Sequence, residues 1–154
     1  MPENKAENKA ENKAGNKPEM KLSDISQKMR NLDICMMTTA TEGNQLASRP
    51  MSNNGDVEYD GNSYFFSSDK QDVVHDLENN PHVNLSFMGE KKLFISVVGE
   101  AKLIRDRGEM KKHWQESLEQ WFEDGVETPG IVMIHVKGKR IKYWQNWDSG
   151  EVKL

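Results

Sequence analysis

The sequence predicts a mainly β fold with inserted helices, an α+β domain built on six to seven antiparallel strands. Three observations carry that expectation. About seven short segments rich in β-branched and aromatic residues follow one another, turn formers separate them, and the helical segments between them are too few for alternating βαβ units. A small antiparallel barrel closes such a chain while leaving few exposed edges.

The elements follow in order. Ser23 is a good N-cap for a short amphipathic helix whose inner face is Ile25, Met29 and Leu32. The strand candidates are ICMMTTA, LASRPMS, SYFFSS, VNLSFM and LFISVVGEAKLI, divided by turns at Glu42-Gly43-Asn44, Asn53-Asn54-Gly55-Asp56 and Asp60-Gly61-Asn62. One helix interrupts them from about Asp69 to Asn80, with Val73, Val74 and Leu77 inward and Asn79-Asn80-Pro81 as its stop. Met110, Trp114, Leu118 and Trp121 stand at i, i+4, i+8 and i+11, the stripe of a second helix that ends near Gly125. Two last strands, IVMIHV and RIKYWQNW, are expected to form a hairpin through Lys137-Gly138-Lys139.

Composition bounds the function. The chain has 154 residues with 35% apolar content, which suits one globular domain, here residues 21–154. No apolar run approaches the roughly 18 residues of a membrane span, and the polar start MPENKAENKA lacks the layout of a secretory signal, so a cytoplasmic protein is expected. Residues 1–20 read as three copies of ENKA followed by GNKP. A helix there would stack Glu3, Glu7 and Glu11 on one another, and likewise Lys5, Lys9 and Lys13, so a disordered low-complexity tail is expected. Four glutamates and four lysines cancel within that tail, leaving the formal charge of -4 to the folded part, a poor general surface for nucleic acid. Cys35, the single cysteine, sits in an apolar run and reads as a buried, quiet thiol.

The chemistry-bearing candidates are few. His75, His82, His113 and His135 have no zinc-ligand spacing, and the chain contains no dinucleotide fingerprint, P-loop or nucleophile elbow. Ser67, Ser68, Asp69 and Lys70 stand where a strand gives way to a helix. They can be read as a helix cap with a solvated lysine, or as donors that join the unpaired N–H groups of a helix start in holding a phosphate. In Ser48-Arg49-Pro50-Met51-Ser52, Pro50 cannot donate to a ladder, which places the segment on an edge strand where its backbone can meet a ligand. Arg49 reads either as a snorkelling surface group or as a ligand clamp. Lys137, Lys139, Arg140 and Lys142 make a basic turn, solvated or anion-binding.

The collinear phrases SRPM, YFFSS, ENNPHVNLSF, ISVVGEAKLIRDR, WFEDG, TPGIVMIHV and IKYWQNW resemble the pyridoxamine 5'-phosphate oxidase-like FMN-binding split barrels, and within them the general stress protein subgroup. The resemblance covers about Leu22 to Trp147. It implies a split β-barrel and a homodimer with FMN in a groove between the subunits. Carried over by position, Arg49, Pro50, Met51 and Ser52 run along the flavin and ribityl chain with Arg49 near the phosphate. Phe66, Ser67 and Ser68 meet the ring edge and ribityl hydroxyls, and Trp144 is presented by the partner subunit. The phosphate-binding lysine of many relatives falls on Val73, and the basic residue often before it on Asp72. Lys70, three positions earlier, is then expected to reach the phosphate from the loop, or FMN to bind less tightly. The C-terminus lacks the arginine-histidine segment of the pyridoxamine 5'-phosphate oxidases, so that activity is not expected. The resemblance implies a flavin-dependent oxidoreductase taking electrons from NAD(P)H. A flavin sensor or store without turnover, and a barrel holding haem or deazaflavin F420, are the alternatives.

Overall fold

The computed structural model describes residues 19–53 and 58–154. The expected disordered tail therefore lies almost wholly outside the described residues, as does most of the turn at 53–56. The element order is α1 (Leu22–Met29), β1 (Ile34–Ala40), β2 (Leu46–Ser52), β3 (Asn62–Ser68), α2 (Asp72–Asn79), β4 (His82–Met88), β5 (Leu93–Ile104), α3 (Arg107–Lys112), two 3-10 turns (Glu116–Gln120 and Gly125–Glu127), β6 (Ile131–Gln145) and β7 (Asp148–Lys153). All pairings are antiparallel, in the order β2-β1-β4-β5-β6-β3, with β7 added beside β6.

Period-two patterning decides which face of each strand is buried. In β1, Cys35, Met37 and Thr39 point inward while Ile34 and Met36 stay outside; in β4, Val83, Leu85 and Phe87 alternate with His82, Asn84, Ser86 and Met88. These inward rows join Phe65, Ile95, Val97, Ile134 and Ile141 in one core. Each large side chain buried there stabilises the fold by about 1.5–3 kcal/mol. Ile25 and Met29 bring α1 onto this core, and Val73, Val74 and Leu77 bring α2. Burial pushes the Cys35 thiol up to about 12, so it stays protonated and inert.

Strand β6 corrects the expected hairpin at Lys137-Gly138-Lys139. The chain does not turn there but runs straight through, because β5 pairs with it on both sides of the bend: Val98 faces Arg140 and Gly99 faces Gly138, leaving Lys139 as the extra residue of a β-bulge. The bulge shifts side-chain parity by one. Val132, Ile134 and Val136 before it and Ile141 and Tyr143 after it consequently face the same core. Gly99 allows the backbones this close, since a Cβ there would stand 2.6 Å from the Lys137 carbonyl oxygen, and Gly138 leaves room for side chains, since a Cβ there would stand 2.8 Å from the Tyr59 hydroxyl. The real turn is Asn146-Trp147, both at positive φ as a two-residue hairpin requires, and it leads into β7, a strand the sequence reading did not foresee.

The helix expected through Trp121 is also shorter. Helix α3 ends at Lys112, and a 3-10 turn follows. Met110 is buried, Trp114 is partly buried between Phe66 and Phe122, and Trp121 points outward. Ser23 lies inside α1, whose start is closed instead by the Asp24 carboxylate accepting the Lys21 N–H at 2.8 Å. Among the described residues no helix is long and apolar enough to cross a membrane.

Replacing Gly99 with alanine drives a methyl group into backbone that cannot step aside. The variant is expected to lose about 1–3 kcal/mol, read as a lower urea midpoint at unchanged slope. An unaltered midpoint would show that the bulge relaxes freely.

Candidate functional site

Among the described residues β2 and β3 are end strands of the sheet, β2 pairing with β1 alone and β3 with β6 alone, and their last residues meet across a cavity of about 930 Å³. Pro50, Met51 and Ser52 come from β2, Phe66, Ser67 and Ser68 from β3, and Asp69, Lys70 and Gln71 from the turn into α2; Leu118, Trp121, Phe122 and Thr128-Pro129-Gly130 form the far wall. Seven of the nine residues singled out from the sequence therefore line one space. Arg49 and Trp144 do not.

Arg49 is not on the cavity wall; its guanidinium donates to the Thr39 hydroxyl at 2.6 Å, the Met37 carbonyl at 3.3 Å and the Asp76 carboxylate at 3.3 Å. Asp76 is buried and also accepts from Thr39 Oγ1 at 2.8 Å, so this ion pair ties edge strand β2 to α2. Trp144 lies on the outer face of β6, opposite Phe94, with the Lys142 ammonium 5.3 Å from its ring. It stands on the sheet face away from the core.

The turn between β3 and α2 is built differently from a capped helix. Asp69 does not cap α2; its carboxylate accepts from Arg105 at 2.8 Å, and Arg105 also reaches Glu78 at 3.2 Å. The Asp69 N–H donates to the Gly130 carbonyl at 2.8 Å, which fixes the turn against the start of β6. Helix α2 then begins at Asp72 with Gln71 as an N-cap that gives no side-chain bond, so no side chain occupies the N–H groups of its first turn. Ser68 Oγ accepts the Lys70 N–H at 3.3 Å. Within the described residues the Lys70 amine and the Ser67 hydroxyl have no protein partner, and Lys70 is the single cation on the cavity wall. Val73 is 4% exposed and belongs to the core, while Asp72 is exposed. Position 73 thus serves packing, and the lysine on the cavity wall, Lys70, stands in the preceding turn.

The far wall is held by aromatic contacts. Phe66 meets Trp114 edge-on at 5.0 Å, Trp114 meets Phe122 at 6.1 Å, and Tyr64 is stacked between His113 at 3.5 Å and His135 at 4.6 Å. His135 Nε2 lies 2.8 Å from Asn62 Oδ1. No group of three or more His, Cys, Asp or Glu side chains is placed to hold a metal among the described residues. The wall residues Leu118 and Trp121 escape the sequence analysis because a helical stripe assigns them to a single packed face, and Phe122 lies outside that stripe.

A split β-barrel with a ligand-sized cavity at its open seam is the class that fold and site define. The chain belongs to the pyridoxamine 5'-phosphate oxidase-like family, which it matches over residues 20–154. It is 29% identical over 129 residues to Protein bli-3 of Neurospora crassa, covering 77% of this chain and 62% of that protein's length. Its fold is similar to a protein of Clostridium acetobutylicum related to general stress protein 26 (TM-score 0.70, 17% identity, 100% of this chain and 97% of that one). It is also similar to the general stress FMN/FAD binding protein of Xanthomonas citri (TM-score 0.69, 19% identity, 81% and 88%). At these identities the solved structures establish the fold.

The His135 imidazole is held below its ordinary value, first by burial and then by His113, Lys102 and Lys137, against an opposing Asp60. A folded value below the unfolded value of about 6.5 means that its contribution is complete above that pH and is lost as pH falls through the lower folded value. The urea midpoint should drop between pH 7.5 and 5.0, and drop less in His135→Gln. Equal drops in both proteins would remove His135 from the account.

Proposed function

We propose that this chain is a flavin-binding protein of the general stress type that holds FMN in the seam between β2 and β3 and acts as a flavin-dependent oxidoreductase supplied by NAD(P)H. The observation that carries the reading is the donor set of the cavity. Apolar surface from Met51, Phe66 and Trp121 suits a fused planar ring, the hydroxyls of Ser52, Ser67 and Ser68 suit a polyol chain, and Lys70 with the uncapped start of α2 suits a phosphate. One cation beside one helix start matches a single phosphate, which favours FMN over a dinucleotide flavin. A flavin bound there supplies two-electron redox chemistry, and the protein's share is to bind it, orient it and shield it from water.

The same cavity favours a second reading. The titratable side chains on its described wall are Asp69, bound to Arg105, and Lys70 at the rim. Neither is poised to move a proton for a substrate, which suits a flavin sensor or store without dedicated turnover. Anaerobic NAD(P)H separates the two: rapid bleaching identifies the oxidoreductase, and bleaching at the rate of free FMN identifies the store.

The reading includes a cytoplasmic homodimer. The outer face of β1, β4 and β5 leaves Ile34, Met36, Met88 and Val98 exposed, and the face runs on to Phe94 and Trp144. A row of this kind suits a self-complementary contact, which would carry the partner subunit's Trp144 toward this cavity.

The protein purified without added cofactor should show a flavin spectrum and release FMN on denaturation; a colourless protein that leaves added FMN fluorescence unquenched would refute the assignment. Lys70→Ala should weaken FMN by about tenfold while sparing riboflavin, which has no phosphate. Equal losses for both ligands would remove Lys70 from the phosphate site.

A further inference from the structure

Beside the seam cavity lies a second depression of about 390 Å³, and the two share a wall that includes Phe66, Leu118 and Trp121. Its remaining lining has a different character. Asn53, Gln115, Ser117 and Gln120 offer uncharged polar groups, Asp33 adds a carboxylate, His113 adds an imidazole stacked on Tyr64, and no lysine or arginine contributes among the described residues. The carboxamides of Gln115 and Gln120 have no hydrogen-bonding partner among the described residues. Trp121, on the shared wall, is 69% exposed and stacks on no other ring in the described chain.

We infer that this groove is a binding site for uncharged, carbonyl-bearing ring compounds, laid against Trp121 and hydrogen-bonded by Gln115 and Gln120. Each feature points the same way. A large exposed indole offers a flat apolar face, and idle carboxamide donors find their natural partners in carbonyl oxygens. A volume near the lower end of small-molecule sites accepts one or two fused rings. Charge does the selecting: a phosphate entering the groove meets the Asp33 carboxylate and no lysine or arginine, with His113 the one imidazole on the described wall and stacked face-on against Tyr64, so phosphorylated rings are disfavoured there relative to the neighbouring seam with its Lys70. The functional meaning rests on the flavin reading, because a compound in this groove is one side chain away from a flavin in the seam.

Isothermal titration of the flavin-loaded protein with menadione, with pyridoxine 5'-phosphate as competitor, tests the site. Menadione should bind, and the double variant Gln115→Ala/Gln120→Ala should weaken it about five- to tenfold with flavin content unchanged, the loss expected of two amide hydrogen bonds. Pyridoxine 5'-phosphate should fail to displace it. Unchanged menadione affinity in the double variant, or displacement by the phosphorylated ring at equal concentration, overturns the inference. Should the protein carry flavin and fail these tests, the groove assignment alone falls. Should it carry no flavin yet bind menadione through Gln115 and Gln120, the groove stands and the flavin reading falls.

Discussion

The close approach of β5 and β6 at Gly99 and Gly138 is the constraint on which the rest of the molecule depends. Strand β6 pairs with β5 along nearly its whole length, but on its other side it pairs with β3 before the bulge and β7 after it. One strand thus serves two neighbours in succession, and the parity change at Lys139 keeps Val132, Ile134, Val136, Ile141 and Tyr143 in a single core, while Ile131 and Met133 join a second cluster with Met110 and Val126. Without that change, Ile141 and Tyr143 would turn outward and the core would lose the end of the sheet that covers α1, where the Tyr143 hydroxyl accepts the Met20 N–H at 2.9 Å. The bulge also decides where β3 lies, and hence where the seam opens.

The seam is a consequence of sheet order. Strands β2 and β3 are consecutive in sequence yet occupy opposite ends of the sheet, so the polar backbone at their tips is brought together without being used up by a shared ladder. Pro50 fits this position, since a residue without an N–H weakens an inner strand and costs little at an edge. Arg49 has a related task. By holding Asp76 and Thr39 it fixes β2 to α2, and therefore fixes the distance between Pro50–Ser52 and the helix start that faces the same cavity. A positively charged side chain on the segment beside the cavity reads from sequence as a ligand clamp, and its actual acceptor, a buried aspartate 27 residues later, leaves no local trace.

Much of the fold was legible because alternating burial writes itself into sequence. ICMMTTA, LASRPMS, VNLSFM and LFISVVGEAKLI lie on strands with nearly the expected limits, and α2 packs with the expected Val73, Val74 and Leu77. Glycine is ambiguous at residue 138, where inside a strand it makes room for the Tyr59 hydroxyl in the same letter that signals a turn. At Asn146-Trp147 the turn was hidden by a tryptophan at positive φ, an uncommon choice. The stripe from Met110 to Trp121 has true helical spacing, but its members divide between a buried core, an aromatic wall and an exposed ring. Of the candidate site, the β2 and β3 segments and Lys70 were readable as hydroxyl and cation clusters at strand ends. The wall from Leu118 to Gly130 was not, since only the tertiary path of the chain brings it opposite β2.

The pairing of β3 with β6 has a consequence in the time domain. The contacts of β1 with β2, β4 with β5 and β6 with β7 are hairpins between neighbours along the chain; β5 with β6 and β1 with β4 close longer loops, and Phe65 must find Ile134 across about 70 residues of intervening polypeptide, the longest span of all. Loop-closure entropy is largest for that step, so the local hairpins have every advantage in forming first. Ser67, Ser68 and the turn to Lys70 ride on β3. The cavity is therefore assembled by the costliest contact of the fold, and a ligand that bridges its two edges would act as a staple on the part of the chain that closes last.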